Sequence, residues 1–145
     1  MRFVLALAVL LASCAAPEQQ PEQAETPPEP PPPPAVSTQK ENVAIAGLME
    51  SARSASASGD LAGAAASLER ALRIEPRNPR LWHELARVRL KQGQFAQAES
   101  VAARSNSWAG DDRGLRSENW RLIAESRRAR GDEEGAKAAR EAAGR

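Results

Sequence analysis

Three glycines, Gly59, Gly93 and Gly131, stand 34 and then 38 residues apart, each between two stretches of helical periodicity. Aligned on them, a bulky residue recurs eleven positions earlier (Leu48, Trp82, Trp120) and alanine seven positions earlier (Ala52, Ala86, Ala124). Alanine recurs again five positions after each glycine, at Ala64, Ala98 and Ala136. Antiparallel helices approach closely only where their facing side chains are small, and a glycine provides the tight turn that ends the first helix of a pair. A large side chain near the start of that helix fills the gap to the next unit. The register predicts an all-α fold of about three stacked helical hairpins. Scarce aromatics, three Trp and two Phe, suit close-packed helices better than a sandwich or barrel.

Helix-boundary signals share this phase. Thr38-Gln39-Lys40-Glu41 reads as a capping box ahead of the first helix. Asn78-Pro79 places a capping side chain and then a proline at the first turn of the third. Asp60 and Asp132 cap the return helices, and Glu133 and Glu134 lie where the helix dipole favours negative charge. Pro76 ends the first unit. The loop around Trp108-Ala109-Gly110-Asp111-Asp112 is expected to hold four extra residues.

These residues resemble the tetratricopeptide repeat family, whose period is 34. The likeness covers residue 43 to the C-terminus and implies a short α-solenoid with units at about 45–78, 79–112 and 117–145. It is strongest in the middle unit. The family's tyrosine position holds Ala55, Arg89 and Arg127 instead, and Ser51 stands where a large apolar residue is usual. Trp82 and Trp120 are expected in the core.

The resemblance implies that the first helices of successive units line a concave groove. The matching positions hold Met49, Arg53 and Ser56, then Arg80, His83, Arg87, Leu90 and Lys91, then Glu118, Arg121, Glu125 and Arg128. A cluster of cations on such a wall would attract an acidic peptide or a carboxylate, which arginine binds bidentately. The opposing reading is a solvated face balanced by Glu84 and the glutamates of the third unit. Trp108 is either an exposed anchor for a partner, as tryptophan often is, or a cover for the helix ends. No catalytic constellation emerges: His83 is the single histidine, Cys14 the single cysteine, and no glycine-rich phosphate loop or metal-ligand spacing occurs. A non-enzymatic, cofactor-free and metal-free protein is expected.

The first residues give an address. Arg2, an apolar run from Phe3 to Ala12 and small residues before Cys14 form a leader too short to span a bilayer as a permanent helix. Leu11-Ala12-Ser13-Cys14 resembles the lipobox of bacterial lipoproteins, which implies removal of residues 1–13, a diacylglycerol on Cys14 and, with Ala15 following, the outer membrane facing the periplasm. Residues 14–42 carry nine of eleven prolines and five acids against Lys40, a composition unable to bury a core, so a disordered, extended linker is expected. From Val43 onward the chain has 18 Lys plus Arg against 14 Asp plus Glu. The near-neutral total thus conceals a basic head on an acidic leash.

Lipid anchor, proline-rich leash and small helical head together resemble the outer-membrane lipoprotein activators of bifunctional peptidoglycan synthases. That likeness implies a periplasmic protein partner, a penicillin-binding protein, contacted across the wall. Tetratricopeptide lipoproteins also serve as pilotins for secretin or pilus subunits and as assembly factors for outer-membrane proteins, and a structural tether to peptidoglycan is a third reading. A periplasmic address argues against nucleic acid. Nothing in the sequence sets the oligomeric state.

Overall fold

Six helices follow one another without strands among the described residues of the structure, a computed structural model that describes the backbone of residues 35–145 and the side chains of residues 42–145. They are α1 (Ala35–Ala57), α2 (Leu61–Ile74), α3 (Pro79–Lys91), α4 (Phe95–Trp108), α5 (Arg113–Ala129) and α6 (Glu133–Ala143). Each odd-numbered helix pairs with its successor, and α2 on α3, α4 on α5 and α3 on α5 join the three hairpins into one stack. The leader, the lipidation site at Cys14 and the linker up to residue 34 lie outside the described residues.

The expected small-residue contacts carry the packing. Ala64, Ala86, Ala98 and Ala136 are fully buried, and Ala52 and Ala124 nearly so. Where a large residue is usual, Ser51 sits opposite Ser67 with their hydroxyls 3.4 Å apart, which lets α1 and α2 approach closely. Leu68, Leu72, Leu81, Leu85 and Val88 fill the core between the first two hairpins, and Ile123 with Ala102, Ala124 and Ala139 fills the other. Val101 packs against both. Trp82 and Trp120, expected in the core, are only half-buried at its margin. The Trp82 indole N–H explains its place, since it donates to the Pro76 carbonyl at 2.8 Å and must stay near the surface loop.

Gly59, Gly93 and Gly131 hold φ of 85°, 72° and 81°, the left-handed turn that a side chain would strain. Asp60 and Asp132 accept from the backbone N–H of Gly63 and Gly135 at 2.8 Å, and Asn78 accepts from those of Arg80 and Leu81. Two boundaries differ from the expected ones. Helix α1 starts at Ala35, inside the stretch read as linker, and runs through Thr38–Glu41 instead of being capped there. No proline or glycine interrupts residues 35–46, and each residue added to an existing helix gains one bond without a new nucleus. Nor do the four extra residues enlarge the loop after α4. Asp112 caps α5, accepting from Leu115 N–H at 3.0 Å, and α5 runs 17 residues where α3 runs 13, so the insertion becomes an added helical turn and the third unit begins before residue 117.

Candidate functional site

Helices α1, α3 and α5 present a groove in two halves that meet at Arg87. One half, a cavity of about 190 Å³, has Met49, Leu68 and Val88 in its floor and Arg53, Arg87 and Lys91 around it. The other, about 270 Å³, is lined by His83, Arg87, Glu118, Arg121, Leu122 and Glu125. Spacing of three or four residues along a helix puts these side chains on one face.

The cations here are weakly held. Arg53 meets Glu50 at 3.5 Å and Arg87 meets Glu84 at 3.2 Å, both as exposed pairs one turn apart on a helix. Such pairs are worth about 0.3–0.5 kcal/mol, so an incoming carboxylate can displace them. Lys91 donates to the Ser56 hydroxyl at 3.0 Å and, with Arg121, forms no salt bridge among the described residues. Glu118 and Glu125 make the α5 half mixed in charge. The groove thus has a cationic end, between α1 and α3, and a zwitterionic end, between α3 and α5.

Not every expected groove residue is presented there. Arg80 lies at the start of α3, pairs with Asp112 at 3.2 Å and lines the α2–α3 loop instead. Arg128 is exposed further along α5, beyond the side chains that line either half, and Leu90 is half-buried. His83 keeps 8% of its surface exposed. Its Nδ1 lies 2.8 Å from Asn119 Oδ1, and its Nε2 lies 3.6 Å from Glu118 on the groove wall. Trp108 ends α4, is 43% exposed, and lies under the Arg77 guanidinium at 5.2 Å.

The residues that sequence reasoning passed over hold the wall in position. Asn119, fully buried on α5, donates from Nδ2 to Ser105 Oγ at 2.7 Å and Asn106 Oδ1 at 2.9 Å. Ser105 donates onward to the Pro79 carbonyl at 2.7 Å, tying the start of α3 to the end of α4. One signal could have exposed Asn119: it sits midway between Leu115 and Ile123 on the buried stripe of its helix. At the family's tyrosine position, Arg89 pairs with Glu69 of the preceding hairpin. Arg127 does the same with Glu99 at 2.8 Å and also donates to the Gly135 carbonyl at 3.2 Å. An ionic link between successive units replaces the aromatic one.

Comparison with known proteins agrees with the stacked helical hairpins of the fold. The tetratricopeptide repeat model matches residues 55–117. Among solved structures, the globular C-terminal domain of P. aeruginosa LpoP is similar, with 46% sequence identity, 70% of this chain and 95% of that chain covered, and a TM-score of 0.69. No curated protein matches. With hairpins, turns and small-residue contacts in the family's register, and that identity across almost the whole LpoP domain, the chain belongs to the tetratricopeptide repeat family, in company with the LpoP head.

Proposed function

We propose that this chain is an outer-membrane lipoprotein, anchored through Cys14, whose head binds and activates a bifunctional penicillin-binding protein in the periplasm. The likeness of the head to the LpoP C-terminal domain supports the reading. The leash adds to it: the 20 residues from Ala15 to Pro34, nine of them proline, would reach on the order of 60 Å if extended, and a head that must cross the wall layer needs such reach.

The observation that carries the choice of surface is Arg87, which belongs to both halves of the groove. A partner segment laid along α1, α3 and α5 passes this guanidinium whichever way it runs. Its acidic residues pair with Arg53, Arg87 and Lys91, and its basic residues with Glu118 and Glu125. In this reading the head is a recognition surface, and the reaction is performed by the synthase.

Photocrosslinking in living cells from position Arg87 tests it. Capture of a bifunctional penicillin-binding protein supports the reading, and capture of secretin subunits alone overturns it. Shortening the leash separates the same options, because an activator loses its partner when the head no longer reaches it and a pilotin working at its own membrane does not.

A further inference from the structure

The second helices of the first two hairpins carry a strip of surface that shares no lining residue with the groove. It runs from α2 across the α2–α3 loop to the end of α4. Ile74 and Trp108, both large and exposed, lie on it. Arg77 stacks on the Trp108 ring at 5.2 Å, and Arg104 on the Trp82 ring at 5.0 Å. The bond from the Trp82 indole to the Pro76 carbonyl links the two stacks through the loop. Arg70, Arg73, Arg77 and Arg104 are exposed, and none forms a salt bridge among the described residues. Neighbouring acids are engaged elsewhere: Glu69 with Arg89, Glu75 by a bond from Asn78 Nδ2 at 2.7 Å, and Asp112 with Arg80. Asp111, in the turn past Trp108, is exposed and closes the strip at that end.

A guanidinium stacked on an indole is positioned for a carboxylate. Its flat face rests on the ring while its in-plane N–H groups stay free, and part of the rotamer freedom that an arginine loses on binding is lost beforehand. Four cations without acids of their own call for a ligand with several carboxylates. Arg70 and Arg73 lie within one turn of α2, about 4.5 Å apart along its axis. An extended peptide sets alternate side chains roughly 6.6 Å apart on one side, a spacing that flexible arginines can follow. The apolar element is equally local. Ile74, Pro76 and Pro79 line a shallow hollow along the loop together with Arg77, which suits one large apolar side chain beside a carboxylate. A glycan fits less well, because a guanidinium already lies on each indole where a sugar ring would stack, and Trp82 is half-buried.

We propose that this strip is a second recognition site, which takes an extended acidic segment of another protein, with its carboxylates on Arg70, Arg73, Arg77 and Arg104 and one large apolar side chain in the hollow beside Ile74. The head then has two docking faces, one on the first helices of its hairpins and one on the second. For a partner that reaches both, the second contact forms at an effective concentration on the order of mM, so two weak contacts act as one strong one. The proposal depends neither on the groove nor on the identity of the synthase.

The test uses the full mature chain with Cys14→Ser to remove the lipid site, and as probe a short synthetic peptide in which glutamate alternates with proline and leucine. The readout is the indole N–H signals of Trp82, Trp108 and Trp120 during titration, the last of which packs on the core around Ile123. Trp108 and Trp82 are expected to shift more than Trp120, and the affinity read from the Trp108 shift is that of the strip, whatever the groove also binds. Arg73→Glu with Arg77→Glu should weaken it at least tenfold. Arg70→Glu with Arg73→Glu, which leaves both stacks intact, should weaken it at least threefold. Arg87→Glu with Arg121→Glu, in the groove, should change it less than threefold, so failure of the groove reading and failure of this one are told apart. A Trp108 shift no larger than that of Trp120, a loss confined to the groove variant, or equal binding of the same peptide with glutamine for glutamate overturns the proposal. A soluble peptidoglycan fragment that shifts Trp108 when the acidic peptide does not identifies a glycan as the occupant and overturns it too. Circular dichroism verifies that each variant is folded.

Discussion

The amide of Asn119 on α5 and the imidazole of His83 on α3 meet at 2.8 Å in the seam between the second and third hairpins. Because Asn119 Nδ2 already donates to Ser105 and Asn106, its Oδ1 is the acceptor and His83 Nδ1 carries the proton. The seam therefore fixes both the tautomer and the tilt of the ring that forms part of the groove wall. Asn119→Ala would leave the His83 N–H without its acceptor and open a cavity where three elements meet. Each orphaned buried group costs about 1–3 kcal/mol, so a total of about 2–4 kcal/mol is expected. At 4–8 °C per kcal/mol in a head of this size, the midpoint of thermal unfolding followed by circular dichroism should fall by roughly 8–30 °C. Ser105→Ala combined with Asn119→Ala should cost clearly less than the sum of the two single changes, because they share one bond.

Seven residues along α5 from Asn119, the opposite case occurs. Ser126 is fully buried and its hydroxyl has no partner among the described residues. Ser126→Ala removes a desolvated hydroxyl and introduces the best helix former. The change is expected to stabilise the head by about 1 kcal/mol, and a lower midpoint in urea unfolding would contradict it.

Two glycine substitutions of identical chemistry should move stability in opposite directions. Gly47 lies within α1, and a Cβ added there meets nothing within 4 Å. Gly47→Ala therefore only reduces the freedom of the unfolded chain, a gain of about 0.5–1 kcal/mol. Gly93 is equally uncrowded but holds φ of 72°, and Gly93→Ala must place a Cβ in the left-handed region at a cost of about 1–2 kcal/mol. Paired denaturant curves check the sign of each.

These cases show which parts of the molecule a sequence displays. Gly93 and Asp60 act locally, within a turn or the next three residues, so their roles could be read from spacing alone. Ala64, Ala86 and Ala136 were legible because close helix crossings recur with the period of the repeat. The added turn of α5 was not, since Ala109-Gly110 signals a break while the cap that limits it, Asp112, was taken for a loop residue. The groove was legible in outline only. Position within a unit brought Arg53, Arg87, Lys91 and Arg121 to one face, but Arg80 was drawn away by Asp112, a residue 32 positions distant whose approach depends on how the hairpins stack. His83 withdrew into the seam for the same kind of reason: its partner, Asn119, belongs to the next unit.

Charge reversal in the groove separates recognition from folding. Arg87 and Arg121 point from neighbouring helices into the same half of the groove, and their guanidinium groups form at most an exposed one-turn pair within the head. Arg87→Glu with Arg121→Glu loses that pair and adds like-charge contacts with Glu84, Glu118 and Glu125, each worth a few tenths of a kcal/mol, so the head should lose about 1–2 kcal/mol and stay folded. Each reversal replaces an attraction to an acidic partner segment by a repulsion, and truncating one side of a close interfacial pair already costs about 2–5 kcal/mol. A loss of at least 100-fold in affinity is expected for the double variant, measured by calorimetry against the captured partner. Arg80→Glu, placed at the α2–α3 loop, should cost less than threefold. If the double variant binds as well as the parent while Arg80→Glu does not, the partner sits on the loop side and the groove formed by α1, α3 and α5 is not its site.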